Sequence, residues 1–480
     1  MKKYRLLPLL LLFTACTSGF EEINTNPNAP IDVRAELLLR QVIYDTGEQM
    51  SYEAFVAGNL LGQYFAMIDF NLFDRHSLTE PQFGGNPWPI LYQNLLDNEI
   101  LIQKARANAA DRVYLGPALI LKAYLSAILT DLYGNVPYAE ALQGEAGLVN
   151  PVYDSQESIY TAEGGILSNL EEAIQELRDY QGAIPLAGDV LFQGDLSAWT
   201  KFAQSLRIKY YMRLSQVSEL DFGQELQQIY DTGDYQQDNG DNAVFDFTNG
   251  QPNNFRMATA RVGDFNLFVM SETMEQILAG LDDPRLEVFF RPKSAGGLPR
   301  YRGLRNGPDA SQTSISVSDY SLAGTLFREE TGQLDANFMT AWESTFFLAE
   351  AAERGLIQAN AKELYERGVN LAFAYWGAEL PSDYLSVGPA SYSTGARDPL
   401  EQIITQKWIA NLLNGYEGWI EYRRTGFPAL QAVQASLNEE LIPVRMPYPT
   451  DEQALNSVNF NQAAEQSNGN SPNAPVWWDR

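Results

Sequence analysis

Apolar residues recur at helical spacing in stretches that come in pairs, the first of them joined by a tight turn. Two amphipathic helices so joined form an antiparallel hairpin, and a long chain of them buries its apolar faces only by packing helix on helix. The clearest helix spans residues 86–110, where Asn86 offers an N-cap and Pro87 a first helical position. Trp88, Leu91, Tyr92, Leu95 and Ile102 follow on one face as core. A second helix, 113–132, stops before Gly134, where a left-handed cap fits. The pattern returns at 155–180 with 198–215, and at 341–354 with 361–376, where Leu348, Ala349 and Ala352 face the bulky stripe Tyr365, Val369, Phe373 and Trp376. A last helical stretch covers 403–414, and residues 35–67 are helical in period, although Gly47, Gly58 and Gly62 argue against one unbroken helix. The spacing between pairs is irregular, so period alone does not define a repeat.

Between residues 221 and 335 the character changes. Gly, Asn, Asp, Pro and Ser accumulate, helical period breaks, and short strand-like pieces such as 243–247 appear. With loops 68–85 and 381–399, this segment reads as an irregular lobe laid over a helical scaffold, and long ordered loops in a compact protein usually carry binding.

The N-terminus sets the compartment. Lys2, Lys3 and Arg5 precede an apolar run from Leu6 to Phe13, and Thr14-Ala15-Cys16 has the small, small, Cys form of a lipobox. As a helix the run spans about 12 Å at the usual rise per residue, well short of the ~30 Å hydrocarbon core. It therefore reads as a cleaved signal peptide, residues 1–15, and Cys16, the sole thiol in the chain, as the site of lipidation. Two or three acyl chains anchor firmly, because each buried CH₂ contributes ~0.8 kcal/mol. Residues 16–34, with Asn24, Asn26, Pro27, Asn28 and Pro30, read as an extended tether, and 35–480 as the folded body.

Charge and composition exclude much. Removing the signal, which holds three bases and no acid, takes the net charge from −28 to −31, so nucleic-acid binding is not expected and membrane attachment rests on lipid alone. After the signal no run of about 18 apolar residues occurs, so no later membrane span is expected. One Cys and one His cannot build a Cys/His zinc site, and His76, the only histidine, lies in no nucleophile-elbow or HExxH context and reads as a loop residue. Neither a Walker A nor a dinucleotide fingerprint appears, so no cofactor is expected. Residues 231–241 are acidic without EF-hand spacing and read as a solvated loop, leaving no metal site expected.

Ordered motifs over the mature chain resemble the SusD/RagB family, in particular its SusD-like subgroup. They are Phe20-Glu21-Glu22-Ile23-Asn24-Thr25-Asn26-Pro27-Asn28, then Asp131-Leu132-Tyr133-Gly134-Asn135-Val136-Pro137-Tyr138, then Lys201-Phe202-Ala203 leading to Arg213-Leu214-Ser215. Asp282-Asp283-Pro284-Arg285-Leu286 and Phe347-Leu348-Ala349-Glu350-Ala351-Ala352 follow, with Gln406-Lys407-Trp408, Glu417-Gly418-Trp419, Arg423-Arg424-Thr425-Gly426 and Trp477-Trp478-Asp479 last. The resemblance implies a mostly α fold of four tetratricopeptide-like helix pairs supporting a loop-rich lobe with few strands. It further implies an outer-membrane lipoprotein facing the cell exterior that binds oligosaccharide or oligopeptide, catalyses nothing, and acts as a lid on a SusC/RagA-like TonB-dependent transporter. Glu21 and Glu22 resemble a surface-export signal, although such a signal more typically follows the cysteine directly.

The motif residues themselves read as framework. Arg423-Arg424-Thr425-Gly426 with Glu417 and Glu421 is an ion-pair network rather than an anion site, Trp408, Trp419, Trp477 and Trp478 are core rather than a sugar platform, and Asp282-Asp283-Pro284 is a turn at a helix boundary. Ligand contacts are expected in the variable loops, as rings that pack on apolar ligand faces beside orienting polar groups. Two stretches fit: Phe70, Asn71, Phe73 and Arg75, and Asn254, Phe255, Arg256 and Phe265. Two rival functions stay open: a surface glycosidase with paired carboxylates, and a helical-repeat adaptor that binds only proteins. Mass spectrometry of the membrane-extracted chain should find Cys16 at the N-terminus carrying a diacylglyceryl thioether; an unmodified residue on a cytosolic product would sink the lipoprotein reading.

Overall fold

A computed structural model describes residues 33–79, 83–295, 298–312, 314–392 and 397–479. The signal peptide, Cys16 and nearly all of the tether lie outside the described residues. The longer helices are α1 (Ala35–Glu53), α2 (Trp88–Ala107), α3 (Leu115–Tyr133), α4 (Ile166–Asp179), α5 (Leu196–Arg213) and α6 (Gly223–Thr232). They continue with α7 (Glu272–Gly280), α8 (Ala341–Glu353), α9 (Ala361–Tyr375), α10 (Pro399–Ala410), α11 (Glu417–Thr425) and α12 (Ser457–Gln466). Each of α1 to α5 packs on the next, α5 packs on α8, and α8 on both α9 and α10, so the hairpins form one continuous stack. The fold is mostly α, as expected.

Side-chain caps set many helix starts. Asp195 accepts from the Ser197 and Ala198 N–H groups, while Thr340 and Asn360 cap α8 and α9. The 155–180 stretch is not one helix: Ser155 caps a short turn, Gln156–Thr161, and the chain breaks around Gly164, at φ +74°, before α4. Helix α2 starts at Trp88 with no side-chain cap, so Asn86 is not the cap; Pro89 sits in the first turn, where its missing N–H costs nothing. Helix α10 begins four residues earlier than the period suggests, because Asp398 caps it and Pro399 pre-sets its first turn. Beyond α1 the chain widens into a π turn, Ala54–Gly58. A Cβ on Gly58 would lie 2.0 Å from the Gly415 carbonyl oxygen, so only glycine lets these two segments approach.

Among the described residues the strands form four two-stranded antiparallel ribbons. They pair β1 (Phe65–Met67) with β5 (Phe268–Met270), β2 (Val136–Pro137) with β3 (Tyr153–Asp154), β4 (Ala243–Asp246) with β8 (Asp335–Met339), and β6 (Lys293–Ala295) with β7 (Leu298–Arg300). The β4–β8 ribbon staples the root of the lobe, since residues 247–334 leave and return through it. Its last rung sets Asp246 opposite Asp335; burial, with Asp246 beside it, pushes the Asp335 carboxyl up to about 7.

Helix 112–133 is, among the described residues, the one long and apolar enough to cross a membrane, at a mean hydropathy of 1.5, yet 89% of its most apolar stretch is buried inside the protein. Lys122 and Asp131 interrupt it. Around it lies the core, in which Trp199, Trp342, Trp408 and Trp419 are fully buried; Tyr64 stacks on Trp408 at 4.2 Å and donates its hydroxyl to the Trp408 carbonyl at 2.6 Å. Trp478 is buried and donates to Asp131 at 2.8 Å, whereas Trp477 is half-buried against the core.

A buried ion network runs through this core. Arg424 grips Glu350 with both Nη atoms, at 2.7 and 2.5 Å, and reaches Glu421 at 2.7 Å, where Lys407 also lies at 2.7 Å. Arg213 meets Glu417 at 2.7 Å, Asp131 at 3.2 Å and Glu421 at 3.4 Å; Lys209 bridges Glu343 and Glu417. Arg423 joins Asp479 at 3.2 Å and donates to the Asp131 carbonyl. Burial alone would raise the Glu350, Glu417 and Glu421 carboxyls, but the adjoining cations reverse this and hold them below the usual range. The Arg423-Arg424 motif is therefore framework. Arg213→Met should lower the unfolding free energy by about 3–5 kcal/mol in urea melts, because three carboxylates lose their shared partner away from water. Glu171→Ala, removing the exposed partner of Arg207, should change it by less than about 1 kcal/mol.

Candidate ligand-binding cleft

The residues first expected to meet ligand are mostly interior. Phe73 is buried against Gly85, and Phe255 and Phe265 pack on Phe55 with ring centroids 5.8 and 5.5 Å away. Asn71 is buried and donates to the Pro308 carbonyl at 2.7 Å; Asn254 is buried and donates to the Phe255 carbonyl. All five pack inside the loops that carry them: a long loop offsets its ordering cost by burying its own rings and satisfying its own amides. Phe70 is 56% exposed, Arg75 is half-buried with Nε donating to the Ala435 carbonyl, and Arg256 is exposed, lying 4.2 Å over the Tyr52 ring. The two stretches are held separately, the first on 306–309 and the second on Phe55.

His76 is a loop residue, as read, but a buried one: its Nδ1 lies 3.1 Å from the Leu441 carbonyl, and burial pushes its pKa down to about 4. Nearby Asp74 accepts from Met67 N, Asn306 Nδ2 and Gly307 N, which stitches the loop to the lobe; burial still raises it to about 6. The acidic 231–241 segment spends its charge locally, Asp234 on Arg178 and Asp241 on Lys201. Among the described residues no group of three His, Cys, Asp or Glu side chains is placed to hold a metal ion.

An open cleft of about 700 Å³ lies elsewhere in the lobe. Helix α7 brings Glu272 and Glu275 to it, the ends of the β6–β7 ribbon bring Lys293 and Arg300, and the segment after β7 brings Tyr301, Arg302 and Arg305; Tyr320 and Gln434 complete the lining. That segment is clamped from both sides. The Leu304 N–H donates to the Met270 carbonyl and the Leu304 carbonyl accepts from the Glu272 N–H, the Arg302 carbonyl accepts from the Ser321 N–H while the Arg302 N–H donates to the Ser321 hydroxyl, and the Gly303 N–H donates to Glu275 at 2.7 Å. A Cβ on Gly303 would fall 2.1 Å from the Ser271 carbonyl oxygen, so the approach needs glycine. Arg302 lies 5.2 Å over the Tyr320 ring, Lys293 is 3.4 Å from Asp319, and Arg305 donates twice to the Ala432 carbonyl. Burial, with Glu287 beside it, raises the Tyr301 phenol, which therefore stays protonated and able to donate. The cleft falls within the size range of small-ligand sites, ~300–1,000 Å³, and offers rings beside fixed polar groups.

A family described as SusD-like, starch-binding and associating with the outer membrane matches residues 27–449. The chain belongs to this SusD-like family. Solved structures agree with the fold. One described as a chitin-binding protein superposes with a TM-score of 0.79 at 25% identity, covering 92% of this chain and 99% of its own. A SusD homologue from Bacteroides thetaiotaomicron gives 0.76 at 26% identity over 94% and 99%, and one from Bacteroides fragilis gives 0.80 at 23% over 93% and 100%. No curated protein matches the chain. Across the SusD-like chain, Phe255→Ala should cost about 3–5 kcal/mol in chemical melts, as a cavity in the core does, and leave ligand retention per folded molecule unchanged; lost retention with unchanged stability would return Phe255 to the site.

Proposed function

We propose that this SusD-like chain is a cell-surface glycan-binding lipoprotein, anchored by lipid on Cys16, that captures oligosaccharide in the lobe cleft and passes it to a SusC/RagA-like TonB-dependent transporter. The observation that carries the reading is the match of residues 27–449 to a family described as starch-binding and outer-membrane-associated. The 25%-identical structure described as a chitin-binding protein supports a glycan over an oligopeptide. The chemistry of the cleft agrees: Tyr301 and Tyr320 offer ring surface for the C–H face of a sugar, while the arginines and glutamates can orient its hydroxyls. Reversible capture needs such an open site rather than an enclosed one, because cargo must leave again for the pore. Binding without turnover fits a family of binding proteins. Phe70, Arg75 and Arg256, the solvent-reached members of the first-expected set, are assigned an accessory role at the lobe surface.

Calorimetry with malto- and chito-oligosaccharides should detect binding, and Tyr320→Ala should weaken it about tenfold, or ~1.4 kcal/mol. No binding to any oligosaccharide by the wild-type chain would overturn the glycan reading. Release of shorter sugars during incubation would overturn the non-catalytic one.

A further inference from the structure

We infer that the cleft is built for an acidic saccharide, one whose sugar units carry carboxylate or sulfate groups; this rests on the glycan-binding reading above and narrows its ligand class. The first ground is the distribution of charge. The chain holds 61 acidic against 33 basic residues, yet residues 291–305 contain Arg291, Lys293, Arg300, Arg302 and Arg305 and no acid at all. Four of these five cations line the cleft against two carboxylates, Glu272 and Glu275; with Lys293 held by Asp319, the excess rests on Arg300, Arg302 and Arg305. A lining with excess positive charge inside a chain of net charge −28 is a local reversal of sign, and open positive clefts focus the field on incoming anions.

The second ground is how these cations are held. Elsewhere on the surface Arg106, Arg112 and Arg178 each close on a neighbouring carboxylate. In the cleft, among the described residues, Arg300, Arg302 and Arg305 have no carboxylate within ion-pair distance, and all three are exposed. Arg302 is steadied by the Tyr320 ring, and Arg305 by the Ala432 carbonyl, contacts that orient a guanidinium without cancelling its charge. Glu275 is partly occupied by the Gly303 N–H, and Glu272 remains as an acceptor for sugar hydroxyls. A guanidinium presents paired N–H donors that match a carboxylate or sulfate edge, which a neutral sugar hydroxyl cannot do. The acidic remainder of the surface repels the same polyanion, so binding is confined to the cleft.

The test is calorimetry on the mature protein with three tetrasaccharides: galacturonate for carboxylate, chondroitin sulfate for sulfate, and chitotetraose as the neutral control. At least one acidic ligand should bind about tenfold tighter than chitotetraose at low salt, and lose that advantage as salt rises. The double variant Arg300→Ala/Arg302→Ala should weaken the acidic ligands about tenfold more than chitotetraose and so remove the advantage, its melting curve showing an intact fold since both side chains are exposed. Which acidic ligand binds tighter assigns carboxylate or sulfate. Chitotetraose binding as tightly as both acidic ligands, or a double variant that keeps the acidic preference, would overturn the inference while leaving glycan binding in place. Failure of all three sugars would instead count against the proposed function itself.

Discussion

Charge held away from water is the constraint on which this architecture rests. Arg213, Arg424, Lys407 and Lys209 stand between carboxylates drawn from α3, α8 and α11, so elements far apart in sequence are fixed by directional bonds as well as by apolar contact. Apolar faces alone would let stacked helices slide by a turn with little loss, whereas a guanidinium displaced by one turn leaves a buried carboxylate bare. The terminal Trp477-Trp478-Asp479 segment enters the same arrangement: Asp479 meets Arg423, and both Arg213 and Arg423 lie over the Trp478 ring. The end of the chain thereby locks helices laid down much earlier.

A frame fixed in this way frees the lobe to vary. Residues 247–334 carry little regular structure, and their order comes from ribbons, from the Asp74 stitch and from aromatic packing around Phe55. The cleft sits on the short segment between β7 and Tyr320, held at its backbone while its side chains remain open to solvent. Geometry is thus supplied by main-chain bonds that tolerate many sequences, and selectivity by side chains that are free to change.

Much of the frame was legible in the sequence because its signals are local. Caps at Asp195, Thr340 and Asn360, and helical period in α8 and α9, place those helices almost to the residue. Weaker local signals set the remaining boundaries: Gly164 splits the helix before α4, and Asp398-Pro399 starts α10 early. The π turn was not legible at all, since it depends on the distant Gly415. In the loop-rich segments the sequence shows where regular structure gives out but not which way each side chain points. An aromatic residue in a loop faces inward or outward according to tertiary context, and Phe73, Phe255 and Phe265 all face inward. The run of cations from Arg291 to Arg305 was the readable clue, whereas Gln434 joins the cleft only because its N–H bonds to the distant Asn306 carbonyl.

The rung at the root of the lobe carries a consequence for acidity. Asp335 has an ordinary pKa of 3.8 as a free side chain and about 7 opposite Asp246, so the folded ribbon retains a proton that the open chain releases across that interval. Its contribution is most favourable below pH 3.8 and declines as the medium rises toward pH 7 and the two carboxylates come to repel each other. The seam where the lobe leaves the helices is therefore drawn together in sour surroundings and eased in alkaline ones, opposite in sense to Glu350, Glu417 and Glu421 of the ion network, which need their charge.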